Sequence, residues 1–221
     1  MQRRKVSMHL ILARHGNTFA SDDRVYWIGV REDLPLVASG VEQAERFAQA
    51  LCSVRSRIHA VYSGSLRRTR DYAQPLLRTL NISLQIDPRL NELDYGLWAG
   101  LTTEEIRQRW GDALFDAWEH DRQWPQGCAW ADSETEIRRQ VSSFAQEILH
   151  KYPSDAIVVL ITSHGRLRYF LDLLPNALHN LKNFKVATGN VCHFNYQNDQ
   201  WYLVGWNRTP DQAIASAFSL G

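Results

Sequence analysis

Cysteine is scarce in this chain. Its 221 residues hold three, Cys52, Cys128 and Cys192, widely spaced, odd in number and without a C-x-x-C pair. That argues against a disulfide scaffold or a zinc ribbon and for a reducing compartment. Excess charge is missing too: the formal net charge is +1. Nothing draws the whole chain to nucleic acid or to a membrane surface, so any affinity for anions must be local. No apolar run approaches the length of a membrane span. The basic start, residues 1–5, resembles a signal n-region, but the apolar stretch behind it is short and Arg14 interrupts it. The expectation is a cytoplasmic protein. Internal repeats, low-complexity linkers and heptads are also lacking. With 44% hydrophobic and 22% charged residues, the composition suits a globular chain, read as one domain over 1–221.

What is present is a set of short apolar runs, each ending in a turn. Strands are expected at 9–13, 58–62, 156–162 and 191–196, with a fifth at 201–205. The run at 156–162 is apolar throughout and β-branched, as in a central strand covered on both faces. Between the strands lie helical patterns. Ser39 to Glu42 reads as a capping box, followed by Val41, Ala44, Phe47, Ala48 and Leu51 on one face. A helix over 66–80 should be kinked or interrupted by Pro75, and 133–152 shows a third apolar stripe. The alternation predicts an α/β layered fold with a mostly parallel sheet.

Residues 101–132 stand apart. A capping box at Thr102–Glu105 leads into Ile106, Trp110, Leu114 and Trp118 at four-residue spacing, and Trp124 and Trp130 follow. This stretch is expected to be a helical insertion over one end of the sheet. Its rings should pack mainly into the body, with a lid that shapes the substrate pocket as the other reading.

The chemistry sits at the strand ends. Arg14-His15-Gly16 follows the first run. Gly16 lets the backbone bend close to a ligand. Arg14 offers a planar fork suited to phosphate, and His15 offers a neutral nitrogen nucleophile near pH 7. Ser63 to Arg70 follows the second run and opens a helix, whose free N–H groups could attract an anion. With three arginines it also fits a solvated basic face. Ser163-His164-Gly165 follows the long apolar run and repeats the setting of His15. The loop 90–100 carries two acids, Glu92 and Asp94, either of which could move a proton. In open α/β sheets ligands bind beyond the carboxyl ends of the strands, and three of these sites fall there.

In order and spacing the chain resembles the histidine phosphatase superfamily, of phosphoglycerate mutase-like fold (the RHG-motif branch 1). The matching residues are Arg14-His15-Gly16-Asn17-Thr18, Asp33-Leu34-Pro35-Leu36, Ser39-Gly40 with Gln43-Ala44, Tyr62 to Arg68, Leu90-Asn91-Glu92 with Gly100-Leu101-Thr102, and Ser163-His164-Gly165. The resemblance implies a three-layer α/β/α sandwich with the 101–132 insertion over the active-site edge. It implies that His15 is the nucleophile that becomes phosphorylated, that Arg14, Arg68 and His164 hold the phosphoryl oxygens, and that Glu92 is the proton donor. Asn17 and Ser21 would join the phosphate pocket; Arg24, Tyr26, Trp27 and the stretch from Trp110 to Trp130 are candidates to line the specificity pocket. Ser65 stands where the family often has an acidic or small residue, and Thr69 where it often has alanine. Ser21 stands where mutase-like members carry asparagine.

The expected activity is metal-independent and cofactor-free hydrolysis of a small phosphate ester through a phosphohistidine, with a mildly acidic optimum. Rivals are a cofactor-dependent phosphoglycerate mutase, a protein phosphohistidine phosphatase, a metalloenzyme using His15, His164 and Glu92, and a binding module. The span from Glu92 to His164 is short for such a mutase and lacks a basic, proline-rich segment. The Trp-rich stretch and Glu92 disfavour the protein phosphatase, and the flanking arginines would repel a metal cation.

Overall fold

β1 (Met8–Arg14) and β4 (Ala156–Thr162) lie side by side in parallel, in register from Met8 opposite Ala156 to Arg14 opposite Thr162. Their side chains alternate between two cores. Met8, Leu10, Leu12, Val158 and Leu160 enter one, and Ile11, Ala13, Ile157, Val159 and Ile161 enter the other. Each fully buried aliphatic chain contributes roughly 1.5–3 kcal/mol. A strand apolar on both faces therefore demands cover on both. The computed structural model describes residues 7–175, 181 and 183–218. The basic start and the residues after 218 lie outside them.

Six strands form one sheet in the order β3-β2-β4-β1-β5-β6. β2 (Ile58–Ser63) pairs in parallel with β4, and β3 (Leu84–Ile86) in parallel with β2. β5 (Val191–Gln197) runs antiparallel to β1, and β6 (Gln200–Arg208) antiparallel to β5. The mostly parallel α/β sheet is as expected. β3 escapes sequence reading because it has three residues, none of them buried.

One face of the sheet is covered by α1 (Ala38–Leu51), α2 (Arg67–Leu80) and α7 (Pro210–Ala217). The other carries α3 (Thr103–Trp110), α4 (Asp112–Asp121) and α5 (Glu134–Lys151), with α6 (His164–Arg168) after β4. Three local expectations need correction. Ser39 does not cap α1: Val37 does so without a side-chain bond, and the Ser39 hydroxyl accepts from Asn17 Nδ2. Val41 is turned out to 48% exposure, because Gly40 is the residue that meets the body there, its Cα close against the Asn17 backbone. α2 runs through Pro75 uninterrupted; Tyr72, Ala73 and Leu76 are buried around it and hold the helix across the missing N–H bond.

The Trp-rich stretch contains two helices, α3 and α4. Gly111, at φ 86°, ends α3 and turns the chain into α4. The Thr102 capping box is formed as predicted. Trp118 and Trp130 are buried, and with Trp98 and Trp124 they pack edge to face at centroid distances of 4.8–6.4 Å.

Candidate active site

β1 ends at Arg14, and the next residue leaves the sheet while still bonded to it. The His15 N–H donates to Thr162 O at the end of β4 (3.1 Å), and Gly189 N donates back to the carbonyls of Arg14 and His15. A Cβ at position 16 would meet Gly40 O at 2.5 Å, so only glycine lets this turn pack on α1. His15 Nδ1 lies 2.8 Å from Gly16 O. A carbonyl can only accept, so Nδ1 carries the proton and Nε2 the lone pair. Burial first, then the charges of Arg68 and Arg14, hold the ring's pKa well below its ordinary value. The imidazole is therefore neutral.

Arg14 donates through Nη1 to Val186 O at 2.6 Å. Arg68 is 1% exposed and donates to Glu32 O (2.8 Å) and Gly29 O (3.2 Å). Backbone carbonyls therefore aim both guanidiniums, which stay charged although burial lowers their pKa values. The start of α2 is not an open anion cradle. Arg67 N is taken by Asp33 Oδ1 (2.6 Å) and Ser65 N by Asn91 Oδ1 (2.7 Å). This end contributes the Arg68 side chain, and the expectation of free N–H groups there is corrected.

Glu92 is 5% exposed. Its carboxylate accepts from the backbone N–H groups of Leu93 (2.9 Å), Arg166 (3.1 Å) and Gly165 (3.3 Å). The last two belong to the helix that His164 opens, so acid and histidine are joined through backbone. A Cβ on Gly165 would come within 2.6 Å of Glu92 Oε1. The Thr162 hydroxyl holds Leu90 O (2.7 Å), and Arg166 Nε holds Asn91 O (2.9 Å). Asp94, the other acid of this loop, is committed to Arg31 and to Gly96 N. His164 Nδ1 is buried without a partner, so the ring meets the cavity through its other nitrogen. Burial, then Arg14, Arg168 and Lys185, hold it neutral as well.

Arg14, His15, Arg68, Glu92 and His164 all line one cavity of about 840 Å³. Asn17, Ser21 and Trp27 line it too. Arg24 does not; its guanidinium is drawn to Glu105 (2.5 Å) and Gly100 O (3.3 Å). Asn17 is built into the wall: its N–H donates to Gln43 Oε1 (2.8 Å), and its side-chain oxygen accepts from Thr188. None of Trp110, Trp118, Trp124 and Trp130 reaches the cavity; from their stretch Thr103, Arg107, Phe115, Glu119 and His120 do. Sequence reasoning missed Tyr95, Glu119, Lys185 and Thr188. Tyr95 is buried with its hydroxyl in reach of Glu92 at Gly165, and burial and the Glu92 charge push its phenol well above the ordinary pKa. It stood beside quoted acids but at no periodic position. Among the described residues no group of three His, Cys, Asp or Glu is arranged to hold a metal ion, and no helix is long and apolar enough to cross a membrane.

Residues 10–209 match the sequence profile of the histidine phosphatase superfamily (branch 1). The chain is 28% identical over 206 residues to a probable phosphoglycerate mutase of Proteus mirabilis, covering 90% of each chain. It is 28% identical over 187 residues to a 2,3-bisphosphoglycerate-dependent phosphoglycerate mutase of Methylorubrum populi, covering 81% of this chain and 85% of that one. In fold it is similar to a mycobacterial glucosyl-3-phosphoglycerate phosphatase, with TM-score 0.75, 24% identity and coverage of 91% and 99%. It is similar also to the alpha-ribazole phosphatase of Shigella flexneri, with TM-score 0.70, 23% identity and coverage of 90% and 96%.

Proposed function

The chain belongs to the histidine phosphatase superfamily, branch 1, and from that premise we propose that it is a metal-independent phosphomonoesterase working through a phosphohistidine. The observation that carries the reading is the neutral His15, its Nε2 lone pair free, beside Arg14 and the buried Arg68 in one cavity.

In this reading His15 Nε2 attacks phosphorus in line as the P–O bond to the alcohol breaks. The phosphoryl charge spreads over its equatorial oxygens, and Arg14, Arg68 and His164 receive them. Glu92, which begins the cycle protonated, gives its proton to the leaving oxygen. A water then attacks the phosphohistidine, Glu92 takes the water's proton, and inorganic phosphate leaves with His15 restored. Two arginines supply the charge that a metal would otherwise bring, and they oppose a cation at the same place. Asn17 and Ser21 border the phosphate, and Trp27 the alcohol. Residues 1–221 act as one catalytic unit, with 101–132 as the insertion that walls the alcohol end, in the reducing cytoplasm that three free thiols suit.

The test is hydrolysis of p-nitrophenyl phosphate between pH 5 and 8 with chelator present, for wild type beside His15→Ala. Chelator-resistant turnover that disappears in the variant is expected. Loss of wild-type turnover with chelator would sink the metal-free reading. The mutase reading has the 28% identical relatives in its favour. Interconversion of 3- and 2-phosphoglycerate that is faster than phosphate release would establish it instead.

A further inference from the structure

The wall formed by α4 has no part in the chemistry above, yet it carries a carboxylate that faces the cavity. The Glu119 side chain is 17% exposed and lines the cavity. It accepts no side-chain hydrogen bond from the described residues; its ion-pair partner among them is Arg168 Nη1, at 3.9 Å. The carboxylate lies near enough to Arg14 to act on its charge.

Arg168 explains why Glu119 stays there. It is wholly buried, its guanidinium lies 4.2 Å over the Trp118 ring, and its Nη2 donates to Trp118 O (2.5 Å) and Glu119 O (3.3 Å). The last turn of α4 is thereby pinned to α6, the helix that begins at His164. One turn before Glu119, Phe115 also lines the cavity, and Trp27 meets it edge to face at 5.7 Å. An acceptor set among ring faces suits a molecule with apolar C–H faces and O–H edges. Lys185 lines the same cavity, which disfavours an ammonium as the donor and leaves hydroxyls.

We propose that Glu119 is the specificity-determining residue of the leaving-group subsite, and that the substrate is the phosphomonoester of a neutral polyhydroxylated alcohol, a sugar or polyol. This rests on the phosphomonoesterase reading. Glu119 accepts hydrogen bonds from the alcohol's hydroxyls, and Arg168 is the positioning residue behind it.

The experiment compares wild type, Glu119→Gln and Glu119→Leu on a hexose 6-phosphate, a pentose 5-phosphate, 3-phosphoglycerate and p-nitrophenyl phosphate. A sugar ester is expected to have the highest kcat/KM in wild type. Glu119→Leu should raise its KM by about ten- to hundredfold, the loss of hydrogen bonds to a charged group. Glu119→Gln, which keeps an acceptor oxygen, should lose less. The kcat, its pH profile and the p-nitrophenyl phosphate KM should stay within about twofold. The proposal is overturned if 3-phosphoglycerate is preferred, if p-nitrophenyl phosphate suffers equally, or if the loss falls in kcat with a displaced pH profile. If wild type hydrolyses no ester, the phosphomonoesterase reading fails. Calorimetric titration with hexose 6-phosphate then decides the subsite separately: affinity lost in Glu119→Leu upholds it, and equal affinity overturns it.

Discussion

At one end of the cavity His15, Arg68 and Glu92 are each no more than 6% exposed, and backbone groups of neighbouring segments hold them. At the other end the walls are tied by side chains in partial contact with water. Arg107 spans Asp112 and Asp116, both at 2.6 Å, around the Gly111 corner, and Arg24 meets Glu105 with 55% and 37% of their side chains exposed. The difference follows from what each end is asked to do. Reacting atoms must be held within fractions of an ångström, which strand ends and their backbone bonds provide. Recognition of an alcohol tolerates, and varies by, loops and surface helices. Glu119 is intermediate, the proposed recognition group on a helix that a buried arginine pins in place.

The strongest way to break this comparison is Arg68→Ala. Loss of a preorganised donor to the transferring group should cost about 2–4 kcal/mol of transition-state stabilisation, read as kcat/KM for p-nitrophenyl phosphate. A fall of less than fivefold would mean that the buried end does not carry the reaction.

Lowering the pH tests how dry that end is. The folded pKa values of His15 and His164 lie below the ordinary 6.5. On the amino side of β1, His9 and His193 form a hydrogen-bonded pair with values lowered to about 4 and about 3, burial being the first cause for both. As pH falls through 6.5 the unfolded chain binds protons that the folded chain does not, so stability is full above 6.5 and lost below it. Each histidine should contribute a slope of up to about 1.4 kcal/mol per pH unit in that window. Urea midpoints at pH 7.5, 6.5 and 5.5 check this, and a midpoint unchanged at pH 5.5 would contradict the burial of these rings.

The smallest effect should come from the exposed end. Arg107→Gln removes two partly exposed ion pairs and should cost no more than about 1 kcal/mol in thermal stability, with p-nitrophenyl phosphate turnover unchanged. A large loss of turnover would erase the distinction between the ends.

Arg14, His15 and His164 were legible because each follows an apolar run that had to be a strand, and a residue just past a parallel strand faces the ligand crevice. Glu92 was less so. Its loop carries no period, and only the family resemblance preferred it to Asp94; the structure adds the reason, since Asp94 is engaged by Arg31 while Glu92 sits on the backbone of α6. The sequence leaves the α2 N-terminus open between an anion cradle and a solvated basic face; Asp33 and Asn91, remote in sequence, take the N–H groups of Arg67 and Ser65 there. Glu119 gave no signal, because its meaning depends on Arg168, 49 positions later.

The sequence by itself determined the layered α/β fold, the two-faced central strands and the chemistry at their ends, since these follow from hydrophobic period and from residue types next to one another. Tertiary structure alone decided which donors remain free, which acid is seated against the histidine helix, and which side chains wall the cavity. Those properties are pairings across the chain, and a hydrogen bond made between distant segments leaves no period in either.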